Sequence, residues 1–372
     1  MRVLITVPRL DLPGGVSNYY RTLRKHLDDH KVYFQVGAVA GESGRWTTIK
    51  RLVSDYRRFH RELGRASFDL VHINPSMNLY SIVRDGLFLL IARAHGCPVL
   101  VFYHGWNPSA EATIRGRFRR IFRFVYGKAR ANVVLANEFR EVLKALGARE
   151  PFFVETMIVD DAVFDKIEAK KPAENVPGSY EVLYLGRLDT DKGLPEAIQT
   201  FECLKALWPA ASLIIAGDGP ERGSAESEVR CRALRDVTFL GHVDGAARDR
   251  AYREADVYLF TSLAEGMPNS VLEAMAFGLP VVTRAVGGIR DFFENGRMGY
   301  STDSPDPAVY AQLLKDLAEN PALRVEIGRF NRDFARRRFS ASVVSGRLLS
   351  VYEQVVGDSR IAHQAVIGRE RK

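Results

Sequence analysis

The stretch VYLFTSLAEGMPNSVLEAMA, residues 257–276, decides the fold. It opens with four consecutive apolar residues, 257–260, which is typical of a strand buried on both faces. A loop that contains Gly266 and Pro268 follows, and a helix is predicted to start near Asn269. Strand, short loop and helix in this order form the repeating unit of a parallel sheet covered by helices.

The same alternation fills both halves of the chain. Residues 166–179 are rich in Lys, Ala, Glu and Pro, which indicates a linker. We therefore predict an α/β fold of two Rossmann-like, doubly wound domains facing each other across a cleft, where ligands would bind beyond the carboxyl ends of the strands. The predicted strands cover residues 3–7, 33–38, 70–73, 99–103, 132–136, 152–154, 181–185, 212–216, 237–240, 257–260 and 281–283.

The domain boundaries follow from this alternation. The first domain is predicted to cover residues 1–165 and the second residues 180–349. An apolar pattern over about 339–356 predicts a closing helix, and the segment 350–372 is expected to complete the first domain. The polar residues 357–372 are expected to be loose at the end.

Composition and charge narrow the class of protein. With 46% hydrophobic and 26% charged residues, the chain has the composition of a soluble globular protein. The apolar run 3–7 is too short for a signal peptide, and three scattered cysteines suit a reducing compartment, so we expect a cytoplasmic protein. Residues 1–161 carry a net charge of +10 and residues 162–372 a net of −2. Such a one-sided field suits a polyanion, an anionic membrane or a phosphorylated substrate, without distinguishing among them.

A cationic turn follows the predicted strand 181–185. Arg187 and Lys192 lie between Gly186 and Gly193, just before a helix that begins near Pro195. A guanidinium can pair bidentately with phosphate oxygens and an ammonium adds a compact charge, so the turn is a candidate diphosphate clamp. A solvated surface turn would explain the same residues.

Loops after three other strands can approach a ligand. Gly217 and Gly219 follow one strand, and Val243 lies where backbone groups could contact a base. In the deciding stretch, free amides at the predicted helix start favour an anion. Glu273, one turn inside that helix, can accept hydrogen bonds from ribose hydroxyls, and Glu265 precedes it by eight residues.

These motifs resemble those of the retaining glycosyltransferases of family 4, which have the GT-B fold. The resemblance is carried from about 182 to 299 by Glu265 and Glu273 at their spacing, by Gly186-Arg187 with Lys192-Gly193, and by Gly287-Gly288. In the first half it is carried only by Pro13-Gly14-Gly15-Val16 and Tyr103-His104-Gly105. At Asp291 the sequence departs from the family pattern, so no role is carried over to that residue.

The resemblance implies a role for each matching residue. Arg187 and Lys192 would bind the donor diphosphate, Glu273 the ribose, and Glu265 the transferred sugar. Gly15 would allow close approach to phosphates or acceptor, and His104 would lie over the reacting sugar. The amides that would line the sugar and phosphate site belong to Gly266, Met267, Pro268, Asn269 and Ser270, of which the proline has no N–H and contributes only its position.

The same resemblance implies a retaining transfer from a nucleotide diphosphate sugar to a glycan or lipid-linked acceptor in cell-surface polysaccharide or glycoconjugate synthesis. UDP is favoured as the nucleotide, and GDP is the alternative. No metal or other cofactor is expected to be obligatory, because cationic side chains and amides would stabilise the departing diphosphate. Asp189 and Asp191 resemble a metal-binding pair of another glycosyltransferase fold but are interpreted as turn residues.

A basic helix is predicted over residues 113–130. At 100° per residue its apolar stripe consists of Ile114, Phe118, Ile121, Phe122, Val125 and Ala129, and arginines crowd the other side. A solvated helix covering the sheet explains the stripe, but the arginines favour an anionic neighbour. We therefore predict a peripheral membrane protein, and not a nucleic-acid-binding one, because no exposed aromatics interleave with the arginines.

Three classes of function stay open at this point. The first is the transferase. The second is a sugar-nucleotide epimerase, or a phosphorylase, of the same architecture. The third is a non-catalytic nucleotide-sugar-binding subunit, against which the intact carboxylates Glu265 and Glu273 and cations Arg187 and Lys192 argue.

Overall fold

The structure is a computed structural model that describes residues 1–12, 14–28, 30–37, 44–166 and 179–370. The chain divides into two compact units, the first made of Met1–Ile158 and Ala341–Lys372 and the second of Val159–Ser340. Twelve of the predicted linker residues, 167–178, lie outside the described residues, as does Pro13 of the glycine-rich motif.

The first unit contains a six-stranded parallel sheet in the order β2-β1-β3-β4-β5-β6. Its four inner strands are short, mostly apolar runs, buried because helices cover the sheet, and its two edge strands are only half-buried. Elements are numbered along the whole chain. The strands are β1 Val3–Pro8, β2 Lys31–Val36, β3 Leu70–Ile73, β4 Val99–Phe102, β5 Ala131–Val134 and β6 Phe152–Val154. The helices are α1 Gly15–Leu23, α2 Arg45–Arg65, α3 Leu79–Ala94, α4 Pro108–Thr113, α5 Arg119–Tyr126, α6 Asn137–Leu146 and α14 Ala341–Glu370.

The second unit contains a second six-stranded parallel sheet, in the order β12-β11-β10-β7-β8-β9. Strand order reverses between β7 and β10, as it does between β1 and β3 in the first unit. The strands are β7 Tyr180–Leu185, β8 Ala211–Ala216, β9 Val237–Gly241, β10 Val257–Phe260, β11 Val281–Thr283 and β12 Gly299–Ser301. The helices are α7 Asp161–Lys166, α8 Leu194–Leu207, α9 Arg222–Cys231, α10 Gly245–Glu254, α11 Asn269–Ala276, α12 Pro307–Glu319 and α13 Pro321–Phe339.

The predicted fold class is confirmed: both sheets are parallel and flanked by helices. Most predicted strands agree with the structure to within a residue or two, although the strand predicted at 33–38 is Lys31–Val36 and β12 was missed. The predicted loose end at 357–372 is wrong as far as Glu370, because α14 continues to that residue.

The prediction of one amphipathic helix over 113–130 is only partly right. A π-helical turn, Ile114–Phe118, interrupts the segment, and the following helix α5 ends at Tyr126. Each π-type hydrogen bond inserts an extra residue, which rotates the following side chains around the axis. Phe118 and Ile121 are 37% and 61% exposed instead of buried, whereas Ile114, Phe122 and Ala129 are buried as predicted.

Candidate functional site

An ion pair occupies the point where strand order reverses in the second sheet. Lys192, in the 3-10 turn after β7, places its Nζ 2.9 Å from Oε1 of Glu265, which lies in the loop after β10. Both side chains are half-buried, and the hydroxyl of Ser262 donates to the same carboxylate oxygen over 3.3 Å. Because ligands of open parallel sheets bind beyond the strand ends at such reversals, this is the expected position for a site.

Backbone contacts fix these two loops against each other. The Thr261 hydroxyl donates to the carbonyl oxygen of Gly193 over 2.6 Å, and the Leu263 amide donates to the carbonyl oxygen of Asp191 over 3.0 Å. Gly193 has a φ of +69°, and a Cβ there would overlap the Thr261 carbonyl group. The glycine that the sequence placed beside Lys192 is therefore required for the close approach of the two loops.

A glycine pair after β11 supports the Glu265 loop from its other side. The Gly288 amide donates to the Gly266 carbonyl oxygen over 2.9 Å. Gly287 has a φ of +50°, and a Cβ there would overlap the carbonyl oxygens of Glu265 and Gly266. The pair thus positions the loop that carries Glu265.

Glu273 lies on α11 within a second polar group. Its Oε1 accepts from Nη1 of Arg248 over 3.0 Å, and its Oε2 accepts from the Tyr252 hydroxyl over 3.1 Å. Burial raises the pKa of Glu273, and the charge of Arg248 and the Tyr252 hydrogen bond partly offset this. Arg248 and Tyr252, both on α10, were missed by the sequence analysis, because no motif marks residues that meet Glu273 only in the folded chain.

The start of α11 presents further polar atoms. Gly266, Met267 and Pro268 are buried, and no side chain of the described residues caps the helix. Oδ1 of Asn269 is buried and, among the described residues, has no hydrogen-bond partner. The neighbouring Ser270 is half-buried, so uncapped amides and an unpaired amide oxygen lie together at this helix end.

Two other predicted residues lie at the same edge of the sheet without joining these groups. Arg187 is 70% exposed and pairs with Asp189 over 2.6 Å. Val243 is half-buried in the turn between β9 and α10. Asp191, the other acid of the turn, lies 3.5 Å from Lys192. Within the described part of the chain, no three His, Cys, Asp or Glu side chains are grouped so that they could hold a metal ion.

In the first unit, His104 lies two residues beyond β4 and is buried. Its Nε2 is 2.9 Å from Oδ1 of Asn74, and burial lowers the pKa of the ring to about 3, so the imidazole is neutral. Its Nδ1 is buried and has no hydrogen-bond partner among the described residues. Gly15 is the exposed first residue of α1, and a Cβ there would meet no atom of the described residues within 4 Å, so their packing does not require this glycine.

Family models match most of the chain. Residues 165–334 match the model of "Glycosyl transferases group 1", and residues 3–153 match that of "Glycosyl transferase 4-like domain". The chain is 26% identical over 392 residues to phosphatidyl-myo-inositol mannosyltransferase of Mycobacterium tuberculosis, covering 96% of this chain and 98% of the relative. It is 31% identical over 176 residues to glycogen synthase of the same species, covering 47% of this chain and 42% of the relative, so this match spans less than half of that enzyme.

Solved structures share the fold. Alr3699/HepE of Anabaena, in complex with UDP, superposes with a TM-score of 0.76 at 16% identity, covering 95% of this chain and all of the other. Sucrose-phosphate synthase of Thermosynechococcus elongatus gives a TM-score of 0.75 at 18% identity, with coverage of 96% and 100%. With two helix-covered parallel sheets and matches in both halves, the chain belongs to the family 4 type of glycosyltransferases and has the GT-B fold.

Proposed function

We propose that the protein is a retaining glycosyltransferase that moves a hexose from a nucleotide diphosphate sugar to a glycan or lipid-linked acceptor in the synthesis of a cell-surface polysaccharide or glycoconjugate. The observation that carries this proposal is the Lys192–Glu265 pair at the switch point of the second sheet. UDP is the favoured nucleotide, because the Alr3699/HepE relative of the same fold was crystallised with UDP and with UDP-glucose.

The ion pair suggests how the donor is recognised. A diphosphate arriving at the switch point competes with Glu265 for the Lys192 ammonium, and it adds hydrogen bonds from the uncapped amides of α11. Once released, the Glu265 carboxylate can accept from hydroxyls of the transferred sugar. Arg187 is exposed and, among the described residues, pairs with the neighbouring Asp189, so it can turn towards the same phosphates at little cost.

Glu273 suits recognition of the ribose. Arg248 and Tyr252 fix the direction of its carboxylate, and both of its oxygens keep further lone pairs for hydroxyl donors. Since the carboxylate is already desolvated by its surroundings, a ribose hydroxyl displaces little water when it binds.

In the proposed reaction the bond between the anomeric carbon and the phosphate oxygen breaks, and its electron pair stays on the diphosphate. The acceptor hydroxyl oxygen bonds to the anomeric carbon on the same face, and its proton passes to the departing phosphate oxygen. The charge that develops on the diphosphate is stabilised by Lys192, Arg187 and the α11 amides without an obligatory metal, and such preorganised donors act mainly on the transition state.

A matched pair of lysine variants tests the proposal. Lys192→Ala should lower kcat about 100- to 1000-fold with UDP-glucose or GDP-mannose, whichever the wild type uses, because it removes a preorganised cation. Lys205→Ala is the control, because Lys205 has the same 18% side-chain exposure and pairs with Asp236 over 2.7 Å, but it lies near the opposite ends of the strands.

A coupled assay measures release of the nucleotide, and NMR measures the anomeric configuration of the product. Equal kcat values for Lys192→Ala and Lys205→Ala would refute the proposed role of Lys192 in stabilising the diphosphate. A product of inverted configuration would refute retention. Binding of the nucleotide without turnover on a panel of acceptors would identify a non-catalytic subunit, and a converted sugar nucleotide would identify an epimerase.

We also propose that the first unit binds an anionic membrane surface, in a cytoplasmic protein whose acceptor is lipid-linked or phosphorylated. The structural support for membrane binding extends beyond the basic segment 113–130. Helices α2, α3 and α5 are neighbours, and of the 17 large hydrophobic side chains that are exposed among the described residues, ten lie on these helices or the preceding π turn. We call this surface the three-helix face: Trp46, Ile49, Val53, Leu79, Tyr80, Val83, Leu87, Phe118, Ile121 and Phe124.

Charge supports a lipid partner for the three-helix face. Residues 44–130 carry 16 Lys and Arg against 5 Asp and Glu. Of these acids, Asp55 and Asp85 are buried and paired with neighbouring arginines. Apolar side chains amid this excess of cations suit anionic headgroups over acyl chains, at about 1 kcal/mol for each cation near the surface. No helix in the described part of the chain is long and apolar enough to cross a bilayer.

Trp46, which is 77% exposed, provides the readout. Its fluorescence, taken as the difference between wild type and Trp46→Phe, should shift to the blue with phosphatidylglycerol vesicles and stay unchanged with phosphatidylcholine vesicles. Flotation should be lost in Val83→Asp and kept in Val325→Asp, a control on the second unit that is similarly exposed. No blue shift at low salt, or equal flotation of the two aspartate variants, would refute the membrane proposal.

A further inference from the structure

A line of buried hydrogen bonds runs through the first unit from the closing helix to His104. The Tyr352 hydroxyl on α14 lies 2.6 Å from Nδ1 of His72, whose Nε2 lies 3.4 Å from the Tyr20 hydroxyl. The Tyr20 hydroxyl lies 2.7 Å from Oδ1 of Asn74, which is 2.9 Å from Nε2 of His104. All five side chains are buried, so water does not compete for these contacts.

One backbone carbonyl determines which atom donates and which accepts in each of these hydrogen bonds. The Asn74 side-chain amide donates to the carbonyl oxygen of Thr6 on β1 over 2.7 Å. A carbonyl oxygen only accepts, so Oδ1 of Asn74 must be the atom that faces Tyr20 and His104. Both of these partners therefore donate to it, and the proton of the His104 ring lies on Nε2.

The remaining protons follow from this assignment. The single hydrogen of the Tyr20 hydroxyl is used on Asn74, so the hydroxyl accepts from Nε2–H of His72. Nδ1 of His72 then accepts from the Tyr352 hydroxyl. Burial lowers the pKa of both histidines, so both rings are neutral, each carries its single proton on Nε2, and each link has one donor and one acceptor.

The ring of His104 is also held sterically. It packs against Phe102 with ring centroids 3.9 Å apart and against the edge of Tyr19 at 5.1 Å. A ring flip would need to open this packing and break the Asn74 hydrogen bond together. The unpaired Nδ1 is thus fixed in place, and a buried acceptor without a partner is costly enough to need a functional reason.

We propose that Asn74 is a positioning residue that fixes the tautomer of His104, and that Tyr20, His72 and Tyr352 hold Asn74, so that the closing helix is part of the site. His104 is then left with a bare Nδ1, which can accept a hydrogen bond from a substrate hydroxyl that reaches it and has no proton to donate to a phosphate oxygen. The identity of that substrate rests on the proposed function, but the tautomer does not.

Nitrogen NMR of full-length protein labelled with ¹⁵N-histidine tests the assignment without substrate. The chain has eight histidines, and His104 is assigned by its loss in His104→Gln. The wild type should show a protonated Nε2 and a bare Nδ1. Asn74→Leu removes the acceptor and should shift His104 to a mixture of tautomers, whereas Asn74→Asp keeps an acceptor oxygen and should keep the proton on Nε2.

Tyr352→Phe should move the His72 resonances, since Nδ1 loses its donor. Tyr126→Phe is the matched control, because it removes a buried hydroxyl hydrogen bond of similar length, to the Ile82 carbonyl oxygen, elsewhere in the same unit. In turnover assays Asn74→Leu should lower kcat about 10- to 100-fold with little change in donor KM, because it misorients a group rather than removing a ligand contact.

A wild-type proton on Nδ1, or an unchanged His104 spectrum in Asn74→Leu, would overturn the proposal. Absence of any sugar transfer by the wild type would instead refute the proposed function and leave the tautomer result standing.

Discussion

Replacing Gly287 by alanine should impair catalysis more than it impairs folding. The residue has a φ of +50°, which costs an L-residue about 1–2 kcal/mol. The new Cβ would lie 2.3 Å from the carbonyl oxygen of Glu265 and 2.4 Å from that of Gly266. Since a Cβ does not approach another heavy atom within 3.0 Å, the loop must retreat by at least about 0.7 Å. A displacement of this size beside the Lys192–Glu265 pair should lower kcat about 10- to 100-fold.

Gly296→Ala separates backbone strain from loop displacement. Gly296 has a φ of +81° in the same unit, but a Cβ there would meet nothing within 4 Å. Both variants should lose stability through strain, with Tm lower by about 2–8 °C, and only Gly287→Ala should lose activity at 25 °C. Calorimetry and initial rates with the best donor measure the two effects. Equal kcat values for the two variants would refute the idea that the glycine pair positions Glu265.

Three further predictions concern ionisable groups. Because burial lowers the pKa of His104 from 6.5 to about 3, the unfolded chain binds a proton that the folded chain does not between those values. The stability that urea unfolding measures should therefore fall by up to about 2 kcal/mol from pH 6.5 to 5, relative to His104→Gln. Arg248→Ala should leave the half-buried Glu273 without this cation, raise its pKa further and weaken UDP binding about tenfold by calorimetric titration. Arg347→Ala should lower stability by about 1–3 kcal/mol, because it unpairs the buried Glu155 carboxylate from α14, and an unchanged denaturation midpoint would contradict this.

Strands and loops of the second unit were largely predictable, because buried parallel strands are continuous apolar runs and the residues that follow them carry the chemistry. The strand at 257–260 and the helix from Asn269 agree with the structure. β12 was missed because its three residues, Gly299–Ser301, form no apolar run. The apolar stripe of the basic segment was only partly right: Ile114, Phe122 and Ala129 are buried, whereas Phe118 and Ile121, in and just after the π turn, are exposed.

Contacts between side chains of different loops and helices were not predictable from the sequence. The sequence placed Lys192 and Glu265 in separate loops and did not predict that they pair. The two residues are 73 positions apart, and only folding brings them into contact. Arg187 was predicted beside Lys192 in one clamp, whereas the structure pairs it with Asp189. Arg248 had no signal at all, because an arginine on an exposed helix is common and its partner lies on another element.

By itself the sequence determined the fold class, the family and the loops that carry the candidate chemistry, because local patterns of apolar residues, glycines and charges act over a few neighbouring positions. Tertiary structure alone decided which charges neutralise each other, which nitrogen of His104 carries its proton, and which apolar side chains are left exposed. Those properties depend on burial and on atoms brought together from distant parts of the chain, and no local pattern encodes them.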